Sequence, residues 1–189
     1  QLQGEGREEE AKKYDFFPGT YVLPADYGLF VEEFKGATAG TIFIMKPIGK
    51  AQGKGIFLFN KLAQINDWKK DHNWKSDGAQ AAAYVVQWYI ENPQLIGGKK
   101  FDLRLYVLVT SFDPLVAYLH HEGLARFATE PYSLDAQRLA DRCAHLTNYS
   151  LNKHSRNFVK NVNEEKDDEG SKWSLSAFRR RLREELGEA

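Results

Sequence analysis

The sequence of 189 residues has a single cysteine, a single methionine and no formal net charge. Cys143 alone cannot form an intramolecular disulfide, which excludes a disulfide framework and is typical of a reducing compartment. The equal numbers of basic and acidic residues, 26 of each, create no overall field that would favour nucleic acid or a membrane as partner. No apolar run approaches the roughly 20 residues that cross a bilayer, and no signal-peptide pattern opens the chain.

Familiar catalytic motifs are absent as well. The five histidines do not form the HxxxH or HExxH spacing of a zinc site. Cys143 and His145 are two positions apart and lack an orienting partner, so they do not form a nucleophile and base pair. The glycine-containing segment from Gly49 to Gly55 matches neither the P-loop nor the dinucleotide-binding fingerprint. The chemistry must therefore be sought elsewhere in the chain.

Apolar residues make up 42% and aromatic residues 13% of the chain, which is enough for a sizeable core. The length suits one domain, or one and a half. Residues 1–15 are polar and rich in glutamate without periodicity, so we predict a flexible leader there. The first residue is Gln1 and not methionine, which favours a piece of a longer protein.

Local patterns predict an α+β protein with an antiparallel sheet. The glycine-rich segment joins the first two strands as a hairpin, and Ser174 is a plausible N-cap for the last helix. Residues 71–80 are predicted to form a surface loop. The predicted strands are Thr41–Lys46, Ile56–Asn60, Tyr84–Ile90, Phe101–Ser111, Pro114–His121 and Gly123–Ala128, and the predicted helices are Leu62–Lys70 and Ser174–Leu186.

Three segments carry polar groups that could do chemistry, and each has a plainer interpretation. The hairpin tip with Lys50 and Lys54 could cradle a phosphate, or be an ordinary exposed turn. Asp102 and Arg104 share a strand face, which is either ligand-bound or simply solvated. The segment from His145 to His154 could position polar ligand atoms, or be a hydrogen-bonded turn cluster.

Taken together, the motifs resemble one family. They are Ile-Met-Lys-Pro at 44–47, Gln-Gly-Lys-Gly-Ile at 52–56, Tyr-Val-Val-Gln-Trp-Tyr-Ile at 84–90, Lys-Lys-Phe-Asp-Leu-Arg at 99–104, Glu-Gly-Leu-Ala-Arg-Phe at 122–127, His-Leu-Thr-Asn-Tyr-Ser at 145–150 and Lys-Trp-Ser at 172–174. Their order resembles the tubulin tyrosine ligase-like family of the ATP-grasp superfamily, over about residues 16–186. The resemblance implies an ATP-grasp fold, with ATP held between two α+β lobes. Residues 16–189 would be a partial catalytic domain, truncated at its C-terminal end.

The resemblance also implies roles for individual residues. Lys46 is expected to contact the nucleotide phosphates, and Gln52 and Gly53 to belong to the loop that covers them. Arg126, Ser150 and Lys172 match positions that hold the incoming amino acid, and Lys46, Arg126 and Lys172 would serve catalysis. The other expected nucleotide contacts are Gln87, Trp88, Tyr89, Ile90, Lys100, Phe101, Asp102, Thr147 and Asn148.

The implied activity is that of a tubulin polyglutamylase, an ATP-dependent ligase that adds glutamate to glutamate side chains of tubulin tails through an acyl phosphate. Every reactant is anionic, so the reaction needs cations, which are Mg²⁺ and the basic residues. The implied partners are free glutamate and tubulin or microtubules, without nucleic acid or membrane. The implied location is cytoplasmic and cytoskeletal, with the cilium or basal body included. A tubulin glycine ligase and a truncated, non-catalytic fragment that binds tubulin or nucleotide stay open as alternatives.

Three further expectations concern the last part of the chain. The family's Mg²⁺ ligands lie on strands after the last predicted helix, so we expect them beyond residue 189 and name none here. Lys172 stands just before a helix start, where the dipole favours anions, so a bound carboxylate would relieve the conflict. The basic segment Arg179–Arg183 either suits acidic tubulin tails or is a solvated helix face.

Overall fold

The computed structural model describes residues 6–14, 16–71, 83–161 and 167–187. The chain divides into two compact units, Gln1–Asn92 and Pro93–Ala189. Each unit contains a four-stranded antiparallel sheet with helices. This architecture confirms the predicted α+β class and fits the partial ATP-grasp domain that the resemblance implied. The sequence patterns did not predict the division after residue 92.

The sheet of the first unit has the strand order β1-β4-β2-β3. The hairpin of β2 and β3, the strand β4 and the helix α3 lie where the sequence predicted them, within a few residues. The elements α1, β1 and α2 were not predicted, and α1 lies within the predicted leader. Their bounds are α1 Glu8–Lys12, β1 Thr20–Leu23, α2 Tyr27–Gly36, β2 Phe43–Pro47, β3 Phe57–Phe59, α3 Leu62–Asp71 and β4 Tyr84–Trp88. Most of the predicted surface loop at 71–80 lies outside the described residues.

One face of this sheet packs on α2. On that helix Tyr27, Phe30, Val31 and Phe34 fall at helical spacing, and all four contact the core. Pro24 and the many aromatic residues of this region hid that periodicity from the sequence prediction. The buried side chains of this core are Leu23, Phe30, Phe43, Met45, Phe59, Ile65, Tyr84 and Val86. Because strand side chains alternate, Lys46 on β2 and Gln87 on β4 lie on the opposite face.

The sheet of the second unit has the order β5-β6-β7-β8. The long strand β6 and the final helix α6 confirm the predicted strand and helix at these positions. The buried core consists of Ile96, Ala125, Phe127, Leu175 and Phe178, with Phe101 and Trp173 packed against it. The elements are β5 Leu95–Ile96, β6 Lys99–Phe112, β7 Leu115–Phe127, α4 Arg142–His145, α5 Tyr149–Asn152, β8 Lys172–Ser174 and α6 Leu175–Leu186.

Strand β7 is continuous, and the two strands predicted around Glu122 and Gly123 are wrong in this respect. A Cβ atom at Gly123 would lie 2.4 Å from the backbone oxygen of Arg104. The glycine therefore marks a close approach of the neighbouring strand and not a turn. In the described residues, no helix has the length and apolar character needed to cross a membrane.

The outer halves of β6 and β7 form a ribbon whose apolar side chains are exposed. The alternation of side chains between the two faces of β6 is interrupted. The register of its pairing with β7 shifts between Leu105 and Val107 and again between Val109 and Ser111. The regular alternation therefore ends at Leu105, and both faces of the ribbon become accessible. The exposed apolar residues here include Tyr106, Val107, Leu108, Phe112, Leu115, Tyr118 and Leu119.

Candidate functional site

Three charged residues stand side by side across the second sheet. Asp102 on β6 is the register partner of Arg126 on β7, which is in turn the partner of Lys172 on β8. Directly paired residues of antiparallel strands share a face. The adjacent Phe101 and Phe127 point into the core, so this face is the one away from the core. We call Asp102, Arg126 and Lys172 the charged row.

Within the charged row, Arg126 and Asp102 form a bidentate ion pair. The Arg126 Nε donates to Asp102 Oδ1 at 3.0 Å, and Nη2 donates to Oδ2 at 2.6 Å. The hydroxyl of Thr147 also donates to Asp102 Oδ2. The Arg126 side chain is only 18% exposed, whereas that of Asp102 is 32% exposed. A partly buried, doubly hydrogen-bonded pair of this kind fixes the guanidinium in one orientation.

The charged row borders a cavity of about 250 Å³ in the second unit. Arg126, Thr147 and Lys172 all line it, so three of the predicted site residues meet at one place. Tyr149 lines it next to the predicted Ser150. The remaining lining residues are Leu124, Phe127, Asn152, Phe158 and Ser171. Two basic residues at the border of one small cavity are compatible with a ligand that carries carboxylates.

The segment that carries Thr147 and Asn148 is held in place by Asn152, which is fully buried. The Asn152 side-chain amide donates to the carbonyl oxygens of Leu146 and Asn148, at 2.7 and 3.1 Å. Its oxygen accepts from the backbone N–H and the hydroxyl of Thr129, both at 2.9 Å. Asn152 belongs to the segment from His145 to His154 that was predicted as a possible hydrogen-bonded cluster, but nothing in the sequence indicated its partner Thr129, which lies 23 positions away.

In the first unit, Lys46 is part of a chain of polar side chains. Its amine donates to the Gln87 Oε1 at 2.5 Å, and the Gln87 Nε2 donates to the hydroxyl of Thr20 at 2.8 Å. Burial lowers the pKa of the Lys46 amine from its ordinary value. A partly desolvated ammonium group attracts an anion more strongly than an exposed one. The structure thus brings two predicted nucleotide contacts together and adds Thr20, which the sequence did not indicate.

The predicted phosphate loop contains a tight turn. The N–H of Lys54 donates to the carbonyl of Ala51 at 3.3 Å, and the two central residues, Gln52 and Gly53, have φ values of 67° and 74°. Positive φ at both positions is the geometry of a type I′ turn. Glycine adopts it freely, but for Gln52 it is a strained conformation of the kind found at ligand-binding loops.

Several predicted nucleotide contacts have side chains that face a core. Trp88 packs against Phe43 with 5.3 Å between the ring centroids, and Phe101 packs against Phe178 at 4.8 Å. These two side chains therefore pack largely within their own unit and are only partly accessible. Tyr89 is buried and Ile90 is 57% exposed. Lys100 lies two positions before Asp102 on β6, and Asn148 lies at the start of α5.

The N-terminus of α6 already has a hydrogen-bond acceptor, Ser174, and an anion, Asp167. This corrects the expectation that a bound carboxylate is needed beside Lys172. The Ser174 hydroxyl caps the helix by accepting from the N–H of Ala177 at 3.0 Å. Asp167 accepts a hydrogen bond from Ser174, and this bond, with the nearby Arg180, lowers the pKa of the Asp167 carboxyl. No bound carboxylate is needed to balance this helix end, so the case for Lys172 rests on the cavity instead.

Two of the four basic residues of α6 pair with acidic neighbours. Arg180 lies 3.2 Å from Asp167, and Arg181 lies 3.3 Å from Glu184. These contacts favour a solvated helix face over a docking patch for acidic tails. In the described part of the chain, no group of three or more histidine, cysteine, aspartate or glutamate side chains could hold a metal ion.

Comparison with known proteins gives consistent matches. The profile of the tubulin-tyrosine ligase family matches residues 1–189. A probable tubulin polyglutamylase of Caenorhabditis elegans is 50% identical over 86% of this chain and 36% of its own length. A probable tubulin polyglutamylase of Bos taurus is 40% identical over 99% of this chain and 44% of its own length. A probable beta-tubulin polyglutamylase of Tetrahymena thermophila is 45% identical over 90% of this chain and 13% of its own length. The chain thus spans less than half the length of each of these relatives.

Proposed function

Because the chain belongs to the tubulin-tyrosine ligase family, as its motifs predicted, we propose that the full-length protein is an ATP-dependent ligase that adds glutamate to glutamate side chains of tubulin tails. The names of the relatives support this choice of amino acid and acceptor. The observation that carries the proposal is the cavity that Arg126 and Lys172 of the charged row both line. Tubulin as substrate implies work at the cytoskeleton, and the cilium is one site where that can be tested.

The charged row favours glutamate over glycine as the amino acid that is added. Free glutamate carries two carboxylates and free glycine carries one. Arg126 can grip one carboxylate with the edge of its guanidinium that Asp102 does not use, and Lys172 can meet the other as a point charge. The apolar part of the cavity wall then contacts the methylene groups between them. Glycine would leave one of the two cations without its anion.

The residues of the first unit suit a nucleoside triphosphate. Lys46 is partly desolvated and held by Gln87, so its charge is preorganised for a phosphate oxygen. The turn pairs Gln52 with Gly53, and a glycine without a side chain permits close approach of an anion to its backbone. ATP, when bound, supplies the phosphoryl group that activates the acceptor carboxylate for amide formation. Lys46 then neutralises phosphate charge, and Arg126 orients the incoming glutamate.

Magnesium is expected for this chemistry, but the described residues do not offer a fitting set of ligands. Carboxylates with free oxygen ligands are what Mg²⁺ requires, and Asp102 is already committed to Arg126 and Thr147.

The proposal is tested by amino-acid transfer to tubulin. The full-length protein is incubated with tubulin and ATP, and with labelled glutamate or labelled glycine in parallel reactions. We expect ATP-dependent incorporation of glutamate that disappears in Arg126→Ala. Preferred incorporation of glycine would establish the glycine-ligase alternative. Binding of tubulin or nucleotide without transfer of either amino acid would establish a non-catalytic role.

A further inference from the structure

Asp102 has two oxygens, and both are engaged by residues of the proposed amino-acid site. Arg126 donates one hydrogen bond to each oxygen, and the hydroxyl of Thr147 donates a further one to Oδ2. The third neighbour, Arg104, is more distant, with its Nε 3.9 Å from Oδ1 and its side chain 56% exposed. The carboxylate of Asp102 is thus committed chiefly to Arg126 and Thr147.

This pairing determines which edge of Arg126 a ligand can meet. The guanidinium has five N–H donors in a planar fork. Asp102 occupies the side edge, made by Nε and Nη2. The end edge, made by Nη1 and Nη2, still offers donors in the geometry that a second carboxylate accepts bidentately. With its plane fixed by Asp102, Arg126 presents that end edge in one orientation only.

We infer that Asp102 is a positioning residue for Arg126, with Thr147 fixing Asp102 in turn. The inference rests on the proposed function, because the ligand that Arg126 receives is the carboxylate of glutamate. It differs from the role that the family resemblance implies for Asp102, which is a direct contact with the nucleotide. The two roles predict losses in different substrates.

The direction in which glutamate binding changes when Asp102 loses its charge distinguishes positioning from simple charge attraction. A carboxylate beside Arg126 reduces the net positive charge that an anionic ligand meets, so removing its charge would, by Coulomb attraction alone, strengthen glutamate binding. Removing it also frees a long side chain with several rotatable bonds, which then loses rotamer freedom again when glutamate binds. If orientation is what Asp102 provides, loss of the pair must weaken glutamate binding despite the gain in net charge.

The experiment measures kcat and KM for glutamate and for ATP in the full-length protein, with tubulin as acceptor. Asp102→Asn keeps the size of the side chain, and we expect it to raise the KM for glutamate about 10-fold, within the range of couplings between contacting groups. If Asp102 acts only through Arg126, the KM for ATP should stay within about 2-fold of wild type. Arg156→Gln removes an exposed cation of the same unit that has no place in the site, and it serves as the matched control with unchanged kinetics.

Thr147 provides a second and gentler test. Thr147→Val removes the hydroxyl at nearly constant volume and should raise the KM for glutamate in the same direction by a smaller factor. Thr147→Ser keeps the hydroxyl and should restore the wild-type value. In an Arg126→Ala background, Asp102→Asn should add no further loss in glutamate KM, because the group that it positions is gone.

A lowered or unchanged KM for glutamate in Asp102→Asn overturns the inference, and so does a rise in the KM for ATP alone, which would establish the nucleotide role. If Asp102→Asn does not fold, as judged by circular dichroism, the Thr147 pair decides between the same outcomes. A wild-type protein that transfers glycine and not glutamate refutes the proposed function itself. A failure confined to the variants leaves that function standing.

Discussion

The amine of Lys46 and the side-chain oxygen of Gln87 lie 2.5 Å apart, although the residues are 41 positions apart in the chain. The neighbouring strands β2 and β4 bring them onto one face of the first sheet. Gln87 is held from its other end by the hydroxyl of Thr20. The resemblance assigned Lys46 and Gln87 to the nucleotide independently of each other, whereas their contact makes the position of the lysine depend on the glutamine.

The first prediction concerns the charge of Lys46. Lys46→Ala should lower kcat/KM for ATP by roughly 100-fold, which is the scale for loss of one preorganised charge. Lys46→Arg keeps the charge and should retain more of the activity. The measurement is steady-state kinetics of the full-length protein at varied ATP. Near-normal use of ATP by Lys46→Ala would mean that another residue meets the phosphates.

The pH dependence of ATP binding follows from the lowered pKa of Lys46. The bound phosphate favours the charged amine, so the pKa is higher in the complex than in the free protein. Binding is therefore strongest below the free-protein pKa and weakens as the pH rises through it, at a pH below that of an ordinary lysine. In Lys46→Arg this decline should vanish, because arginine keeps its proton. Isothermal calorimetry with a non-hydrolysable ATP analogue measures both curves, and identical curves would contradict the prediction.

Thr20 is a residue that no sequence motif marks. Thr20→Val removes the hydroxyl that accepts from Gln87, so the Gln87 amide can rotate and release the Lys46 amine. We expect the KM for ATP to rise about 5-fold, as for loss of one ordinary hydrogen bond. Thr20→Ser keeps the hydroxyl and is the control that should match wild type. If both substitutions behave alike, the hydroxyl has no part in placing Lys46.

Lys172 tests the choice of amino acid. Because this residue is exposed, its loss should cost less than loss of a buried charge, and we expect Lys172→Ala to raise the KM for glutamate about 10-fold. The KM for ATP should be unchanged. Lys160→Ala removes another exposed lysine of the same unit and is the matched control. A glutamate titration of the three proteins suffices, and equal glutamate KM values would remove Lys172 from the site.

Local patterns predicted those parts of the fold that depend on neighbouring residues. The continuous apolar run of β4, the alternation at the start of β6, and the spacing of Leu175, Phe178 and Leu182 in α6 were each readable from the sequence. The helix α2 has the same kind of periodicity at Tyr27, Phe30, Val31 and Phe34, but Pro24 and the many aromatic residues of this region obscure it. Its existence depended on a core that the sequence alone did not define.

The partners within the site could not be predicted, because they depend on strand register. The resemblance assigned Asp102 to the nucleotide and Arg126 to the amino acid, with no reason to connect them. Pairing of β6 with β7 places the two side chains opposite each other, and pairing with β8 adds Lys172. A shift of one residue would turn each side chain to the other face. The register between distant strands therefore cannot be predicted from a single sequence.

Gly123 gives a prediction about stability that does not depend on function. Here β6 passes so close that a Cβ atom would lie 2.4 Å from the backbone oxygen of Arg104 and 3.5 Å from Leu175. Backbone cannot yield as a flexible side chain can, so Gly123→Ala must force the two strands apart at the point where α6 packs on them. We expect the free energy of unfolding to fall by about 1–3 kcal/mol, the usual cost of overpacking.

Gly28→Ala is the matched control, because Gly28 lies in α2 with nothing within 4 Å of the added methyl group. There alanine should stabilise the full-length protein by about 0.5–1 kcal/mol through its higher helix propensity. Chemical denaturation of the two variants and wild type measures both changes. Equal stability of Gly123→Ala and wild type would show that the strands are not packed as closely as described, whereas a loss in Gly28→Ala would contradict the assignment of α2 as an exposed helix turn at that position.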